Sequence, residues 1–214
     1  MPSVNQLIPC DYAEVKNSTF EHILDKALST APAQPHPEFV QVSGVPGAGK
    51  STFCRRYAQA DKVMISFDAI MEQLPEYQRD IYRYGNKTAF RNWELPARVA
   101  GYELLRRAVS RKQNICLEHS GVNDAHLELV QNLKNYGFST EVDFILCPLN
   151  VAITRTRERE AKTQRHTPES LIRERFAAVQ SYLPRYQQIA DKTIVYHSAN
   201  QYLMLAQDAA RSRF

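Results

Sequence analysis

Short apolar, β-rich runs recur along the chain: Phe39 to Ser43, "KVMISF" at 62–67, "NICLE" at 114–118, "TEVDFILC" at 140–147 and "TIVYH" at 193–197. Each is separated from the next by a segment long enough for a crossover helix, so the pattern predicts an α/β fold with a parallel sheet of about five strands flanked by helices. In "ELPARVAGYELLRRAVSRK" (94–112) the apolar residues fall at helical spacing. "TPESLIRERFAAV" (167–179) predicts a second helix, with Thr167 as N-cap and Pro168 at the first helical position. Ahead of the first strand, the amphipathic "FEHILDKALS" (20–29) is joined to the rest by the Pro-rich "APAQPHP". Residues 1–36 therefore read as a helical preamble and connector, and 37–198 as the core of one domain spanning 1–214.

Composition changes this picture little. With 43% hydrophobic and 23% charged residues the chain has ordinary globular usage, and no apolar run approaches the roughly 20 residues of a membrane span. The opening "MPSVNQLIPCDYAEV" lacks the basic and apolar parts of a secretory signal, so a cytoplasmic location is expected. Cys10, Cys54, Cys116 and Cys147 have no C-x-x-C spacing and read as buried free thiols, not a metal site. A formal charge of +4 suits a phosphorylated ligand or an acidic partner and is too weak to argue for nucleic acid.

The chemistry starts at "GVPGAGKS", where Gly44, Gly49, Lys50 and Ser51 fit the phosphate-loop pattern G-x-x-x-x-G-K-[ST]. A strand before it and a helix from about Lys50 are what the motif requires: the strand fixes the loop, and the helix aims unpaired N–H groups at phosphates. A guanine-reading N-K-x-D is missing, because "NKTA" at 86–89 ends in Ala89, and no strand ends in the paired Asp-Glu of motor ATPases. Instead "MISFD" ends on Asp68, and "CLE" ends on Glu118. In open α/β sheets ligands bind beyond the carboxyl ends of the strands. A carboxylate there can orient an acceptor hydroxyl and take its proton, which is kinase chemistry. The alternatives are that Asp68 caps the next helix and that Glu118 makes a magnesium or structural contact.

After the fourth run, "PLNVAITRTREREAKTQRHTPES" holds Arg155, Arg157, Arg159 and Arg165. Such charges are commonly solvated or paired, here with Glu158 and Glu160. The position suits a lid over 149–168 whose arginines meet ATP phosphates; Arg157 and Arg165 are the first candidates and Arg159 the next. His119 and His166 read as satisfying local hydrogen bonds, and Trp93, Tyr82 and Tyr84 as packing.

Together, the preamble helix, "GVPGAGKS", "ISFDAIMEQLPEY", "ICLEHS" and "TREREAKTQRHTPES" resemble the zeta toxin family of P-loop kinases over roughly residues 20–190. The resemblance implies an ATP- and Mg²⁺-dependent kinase acting on a hydroxyl of UDP-N-acetylglucosamine, restrained by a small acidic helical antitoxin. It implies a nucleotide loop of Gly44, Pro46, Gly47, Ala48, Gly49, Lys50, Ser51 and Thr52, joined by Arg159. Within it Lys50 meets the β/γ-phosphates and Ser51 the Mg²⁺. Asp68 is implied as base, Glu118 and Ser120 as acceptor ligands, and Arg157 and Arg165 as phosphate ligands. The sequence departs from the family at Ser66 where D-x-D is common, at Met71 for a basic residue, at Leu74 for His before Pro75, and at "EHS" for Glu-Gly-Thr. These lie on the acceptor side, so other acceptors, NAD or a polynucleotide end, stay open. An inactive P-loop module that only binds a partner is the reading from another class.

Overall fold

The structure is a computed structural model that describes residues 18–57, 61–163, 165, 167–198 and 203–209. The elements in chain order are α1 (Ser18–Leu28), β1 (Glu38–Ser43), α2 (Lys50–Tyr57), β2 (Val63–Ser66), α3 (Phe67–Glu72), α4 (Pro75–Tyr84), α5 (Asn86–Ser110), β3 (Ile115–Glu118), α6 (Asp124–Asn135), β4 (Ser139–Leu146), α7 (Leu149–Thr163), α8 (Glu169–Ile189), β5 (Lys192–His197) and β6 (Leu203–Ala209). The strands lie in the order β2-β3-β1-β4-β5-β6. All neighbours pair in parallel except β5 with β6.

β1 is buried along nearly its whole length because helices cover both faces of the sheet. Its two neighbours are β3 on one side and β4 on the other. The connections leaving β1 and β3 run to opposite sides of the sheet, and at such a point ligands of open α/β sheets bind in a crevice beyond the carboxyl ends of the strands.

The expected parallel sheet of five strands is present, and β6 extends it as an antiparallel edge. That strand corrects the boundary of the core at 198. Three of the seven residues of its "LMLAQDA" are Ala or Asp, types depleted in strands, and pairing with β5 makes it one. The preamble helix also belongs to the core: α1 buries Phe20, Ile23, Leu24 and Leu28. Glu21 of α1 clasps Arg107 of α5 with two hydrogen bonds of 2.7 and 2.8 Å.

Helix α5 begins at Asn86, well before the expected Glu94, and runs through Pro96. Helix α8 begins one residue later than expected. Pro168, not Thr167, is its N-cap, with the Pro168 carbonyl accepting from the N–H groups of Leu171 and Ile172. The Thr167 hydroxyl accepts a hydrogen bond from Arg159. Cys54, Cys116 and Cys147 are free and buried, and Cys10 lies outside the described residues. Among the described residues no helix is long and apolar enough to cross a membrane.

Candidate functional site

The loop between β1 and α2 is built for close approach. Gly47 has φ +80°, and a Cβ on it would run into the Ala152 carbonyl and lie 2.7 Å from the Thr156 hydroxyl, both on α7. Glycine here lets the first turns of the arginine-bearing helix pack directly on the loop. Ala48 is buried, Pro46 and Gly49 are half-buried, and the start of α2 presents Ser51 and Thr52 at the surface of the crevice. Lys50 folds back over the loop, its Nζ donating to the carbonyls of Gly44 at 2.9 Å and Val45 at 3.1 Å. Burial lowers its pKa, and the Glu118 and Asp68 carboxylates oppose that shift.

β3 ends on Glu118, as expected, and the carboxylate accepts a 2.6 Å hydrogen bond from the Ser51 hydroxyl. Ser120 follows, its carbonyl accepting from the N–H of Gly44 at 3.4 Å, so the loop after β3 is tied to the glycine loop. β2 stops at Ser66, and Asp68 lies in the first turn of α3, not at the strand end. The Ser66 side chain makes no cap hydrogen bond to α3, and the Asp68 carboxylate accepts a hydrogen bond from Arg165 instead of capping the helix. The Arg165 guanidinium also lies 4.9 Å from the centre of the Phe90 ring.

The lid arginines part company. Arg165 is held inward on Asp68 with 26% of its side chain exposed, whereas Arg157 is 73% exposed and pairs with Glu169 at 2.8 Å, facing water. Arg155 donates to Ser198 at 2.9 Å. Arg159 reaches inward: its Nη2 donates to Thr167 at 2.9 Å, and its Nε is buried with no hydrogen-bond partner. Burial lowers the Arg159 pKa, and the adjacent Arg165 lowers it further, as expected of two guanidiniums sharing one enclosed space. The difference between Arg157 and Arg159 is one of helical phase. α7 buries Ala152, Ile153 and Thr156, and Arg159 continues that stripe while Arg157 falls off it.

Behind the site runs a network that sequence reading missed. The Gln41 Nε2 donates to Ser43 Oγ at 2.9 Å and to the Tyr186 oxygen at 3.2 Å. Its Oε1 therefore accepts from His126 Nδ1–H at 2.9 Å. His126 Nε2 is then left to accept from the Tyr102 hydroxyl at 3.0 Å, and Tyr186 donates to the Gly121 carbonyl at 2.6 Å. A Cβ on Gly121, which has φ +70°, would come within 2.5 Å of both Gln41 Nε2 and Ser43 Oγ. The loop carrying Glu118 and Ser120 is thus seated directly on this network. His119 stacks on His126 with ring centres 3.8 Å apart, and its Nδ1 accepts from the N–H of Gly121. Burial drives the His119 pKa well below its usual value and that of His126 down to about 3, so both are neutral at neutral pH. Gln41 is the signal in the sequence that was available: an amide in the middle of an otherwise apolar strand demands buried partners.

Trp93 donates to Asp80 at 2.9 Å, consistent with packing, whereas Tyr82 and Tyr84 are exposed. His166 lies outside the described residues.

No curated protein sequence matches the chain significantly. Among solved structures it is similar to one from the PezAT chromosomal toxin-antitoxin system of Streptococcus pneumoniae, at 21% identity over 92% of this chain and 82% of that one, with a TM-score of 0.70. It is also similar to a chain of the AvrRxo1-ORF1:-ORF2 structure with ATP, at 14% identity over 97% of this chain and 70% of that one, with a TM-score of 0.72. At these identities the likeness is one of fold. The zeta toxin family model matches residues 21–209, nearly all of the described core, and the chain accordingly belongs to the zeta toxin family, with the α/β architecture of a P-loop kinase.

Proposed function

We propose that the protein transfers the γ-phosphoryl group of ATP to a hydroxyl of a UDP-activated amino sugar, with UDP-N-acetylglucosamine as the leading acceptor. The observation that carries the reading is the group of Lys50, Arg159 and Arg165 gathered around Asp68 at the carboxyl edge of the sheet, with Arg159 Nε unpaired. Cations gathered at the glycine loop suit a polyphosphate, and a carboxylate among them suits an alcohol that must lose a proton. The AvrRxo1 structure with ATP supports the same choice of donor.

In this reading the acceptor hydroxyl is oriented by Asp68, which Arg165 releases when it turns to the γ-phosphate. The hydroxyl oxygen bonds to the γ-phosphorus as the bond to the β–γ bridging oxygen breaks, the proton passes to Asp68, and ADP leaves. Lys50 and Arg159 stabilise charge on the transferring oxygens. Ser51 and Glu118, 2.6 Å apart, offer a hydroxyl and a carboxylate, an all-oxygen pair that fits Mg²⁺. Among the described residues no group of three or more His, Cys, Asp or Glu could hold a metal, which agrees with an ion bound mostly by phosphate and water. When bound, Mg²⁺ would offset phosphate charge. The solved toxin-antitoxin relative supports an antitoxin as partner.

The test is to incubate protein, Mg-ATP and a panel of UDP-sugars, NAD and oligonucleotides, and to look by mass spectrometry for one added phosphoryl group. Sugar nucleotides should gain it. In Asp68→Asn, ATP binding should persist while transfer falls by a factor on the order of 10² to 10⁴. Modification of NAD alone would replace the acceptor assigned here, and no transfer to any acceptor would leave a binding module.

A further inference from the structure

Asp143 lies inside β4 between Val142 and Phe144 and is only 5% exposed. Strand register decides what it faces. Glu141, on the same face of β4, stands opposite Lys192 of β5 and accepts from its ammonium at 2.7 Å. Asp143 instead stands opposite Val42 of β1 and Ile194 of β5, and neither side chain can donate a hydrogen bond. Among the described residues nothing donates to its buried Oδ1. Burial, with Glu141 adding to it, pushes the Asp143 pKa up to about 8. A carboxyl taken out of water on such terms loses hydration that the protein does not replace.

The same side chain borders a cavity of about 280 Å³. Val40 and Val42 of β1 line it from the sheet, and Phe53 and Cys54 line it from α2. Its other charged groups belong to the amino-terminal edge of the sheet: Glu38 and Lys192 open β1 and β5, and Lys62 immediately precedes β2. That edge is opposite the one where the glycine loop leaves β1. Both lysines are already matched, Lys62 with Glu38 and Lys192 with Glu141. Three carboxyl groups thus share two ammonium groups around the cavity, and the one left over is Asp143.

We infer that this cavity is a second ligand site, apart from the nucleotide crevice, and that it takes a small organic cation. The ligand is an aliphatic amine or guanidine whose N–H groups meet the Asp143 carboxylate while its methylenes lie along Val40, Val42 and Phe53. A cation at this point supplies both the missing donor and the missing charge, and it favours the ionised form of the acid. The walls suit an organic molecule: apolar side chains and the thiols of Cys54 and Cys116 make up much of the lining, with few polar groups to orient a ligand. Among the described residues no group of three or more His, Cys, Asp or Glu could hold a metal ion there.

The inference is tested on the full chain without nucleotide, so its outcome does not depend on the phosphotransferase reading. Calorimetry measures the binding of putrescine and agmatine, with 1,4-butanediol, potassium chloride and magnesium chloride for comparison. The two amines should bind the wild type and raise its melting temperature with concentration, whereas the uncharged diol and the salts should not. Asp143→Asn keeps the shape of the side chain and removes its charge. It should weaken amine binding by about tenfold to a hundredfold without lowering the melting temperature. Glu128→Gln, at an exposed acid of α6, should leave amine binding unchanged. Amide NMR of the wild type locates the site without any variant: agmatine should shift the resonances of Val42 and Asp143.

Failure of both amines to bind the wild type overturns the inference, as does butanediol binding as tightly as putrescine. Equal amine affinity in Asp143→Asn, or resonance shifts confined to residues away from the cavity, has the same meaning. An equal loss in Glu128→Gln would reduce the effect to general attraction between amines and acidic side chains. Magnesium binding that Asp143→Asn abolishes would replace the organic cation with an inorganic one.

Discussion

At the scale of single residues, two positions along α7 separate an exposed arginine from an enclosed one. Arg157 pairs with Glu169 in water, an exposed contact of the kind that contributes little, whereas Arg159 is enclosed beside Arg165 with one N–H unsatisfied. Removing a preorganised donor from developing phosphoryl charge costs on the order of 10² in turnover. Arg159→Ala should therefore lower kcat by about that factor, while Arg157→Ala should stay within about twofold of wild type. Steady-state kinetics with saturating acceptor decide this, and the reverse ranking would restore Arg157 to the site and remove Arg159. The carboxylate Asp68 is legible in the sequence by type and approximate place, because an acid after an apolar run points to the ligand edge of a parallel sheet. Its bond to Arg165 spans 97 positions, and no local pattern encodes a contact of that range.

At the scale of elements, the sequence announces what periodicity and punctuation can carry. The parallel strands, the loop-to-helix start at Lys50 and the apolar stripe of α1 are all visible, because each follows from a local hydrophobic pattern. What stays hidden is decided by partners: α5 continues back through Pro96 to Asn86 because it packs on α3 and α4, and β6 exists because β5 offers an open edge. The seat of Asp68 depends on the first of these. Gly101 of α5 faces the Phe67 ring so closely that a Cβ on it would overlap the ring edge, and Phe67 is further held against Tyr102 and His119, with centres 4.9 and 5.8 Å away. Phe67 immediately precedes Asp68 in α3. Gly101→Ala should thus destabilise the fold by about 1–3 kcal/mol through overpacking. It should also lower turnover, because the displaced ring carries the first turn of α3 with it, while ATP affinity should stay unchanged. Denaturant midpoints and separate KM and kcat values test the two halves, and a stability loss without a change in kcat would detach Phe67 from the chemistry.

At the scale of the whole molecule, the Gln41–His126 network joins β1, α5, α6, α8 and the loop after β3 into one unit beneath the site. The network holds His126 neutral, donating to Gln41 and accepting from Tyr102, and burial holds the folded-state pKa near 3 against an ordinary value of about 6.5. The unfolded chain takes up this proton as the pH falls below about 6.5, and the folded chain resists until about 3. Stability from this group is therefore complete above the ordinary histidine pKa and is lost as the pH falls through the interval, by about 1.4 kcal/mol per pH unit. His119, buried against it, shifts in the same direction and adds to the slope. Urea denaturation of wild type and His126→Asn between pH 7 and 4 isolates the contribution, since the carboxylates common to both proteins cancel in the difference. The wild-type curve should fall more steeply by about the amount given for one histidine. Because Gly121 is fastened to the same network, phosphoryl transfer should be lost together with the fold on acidification. Parallel stability curves for the two proteins would mean that His126 is protonated in the native state and that the network is assembled differently.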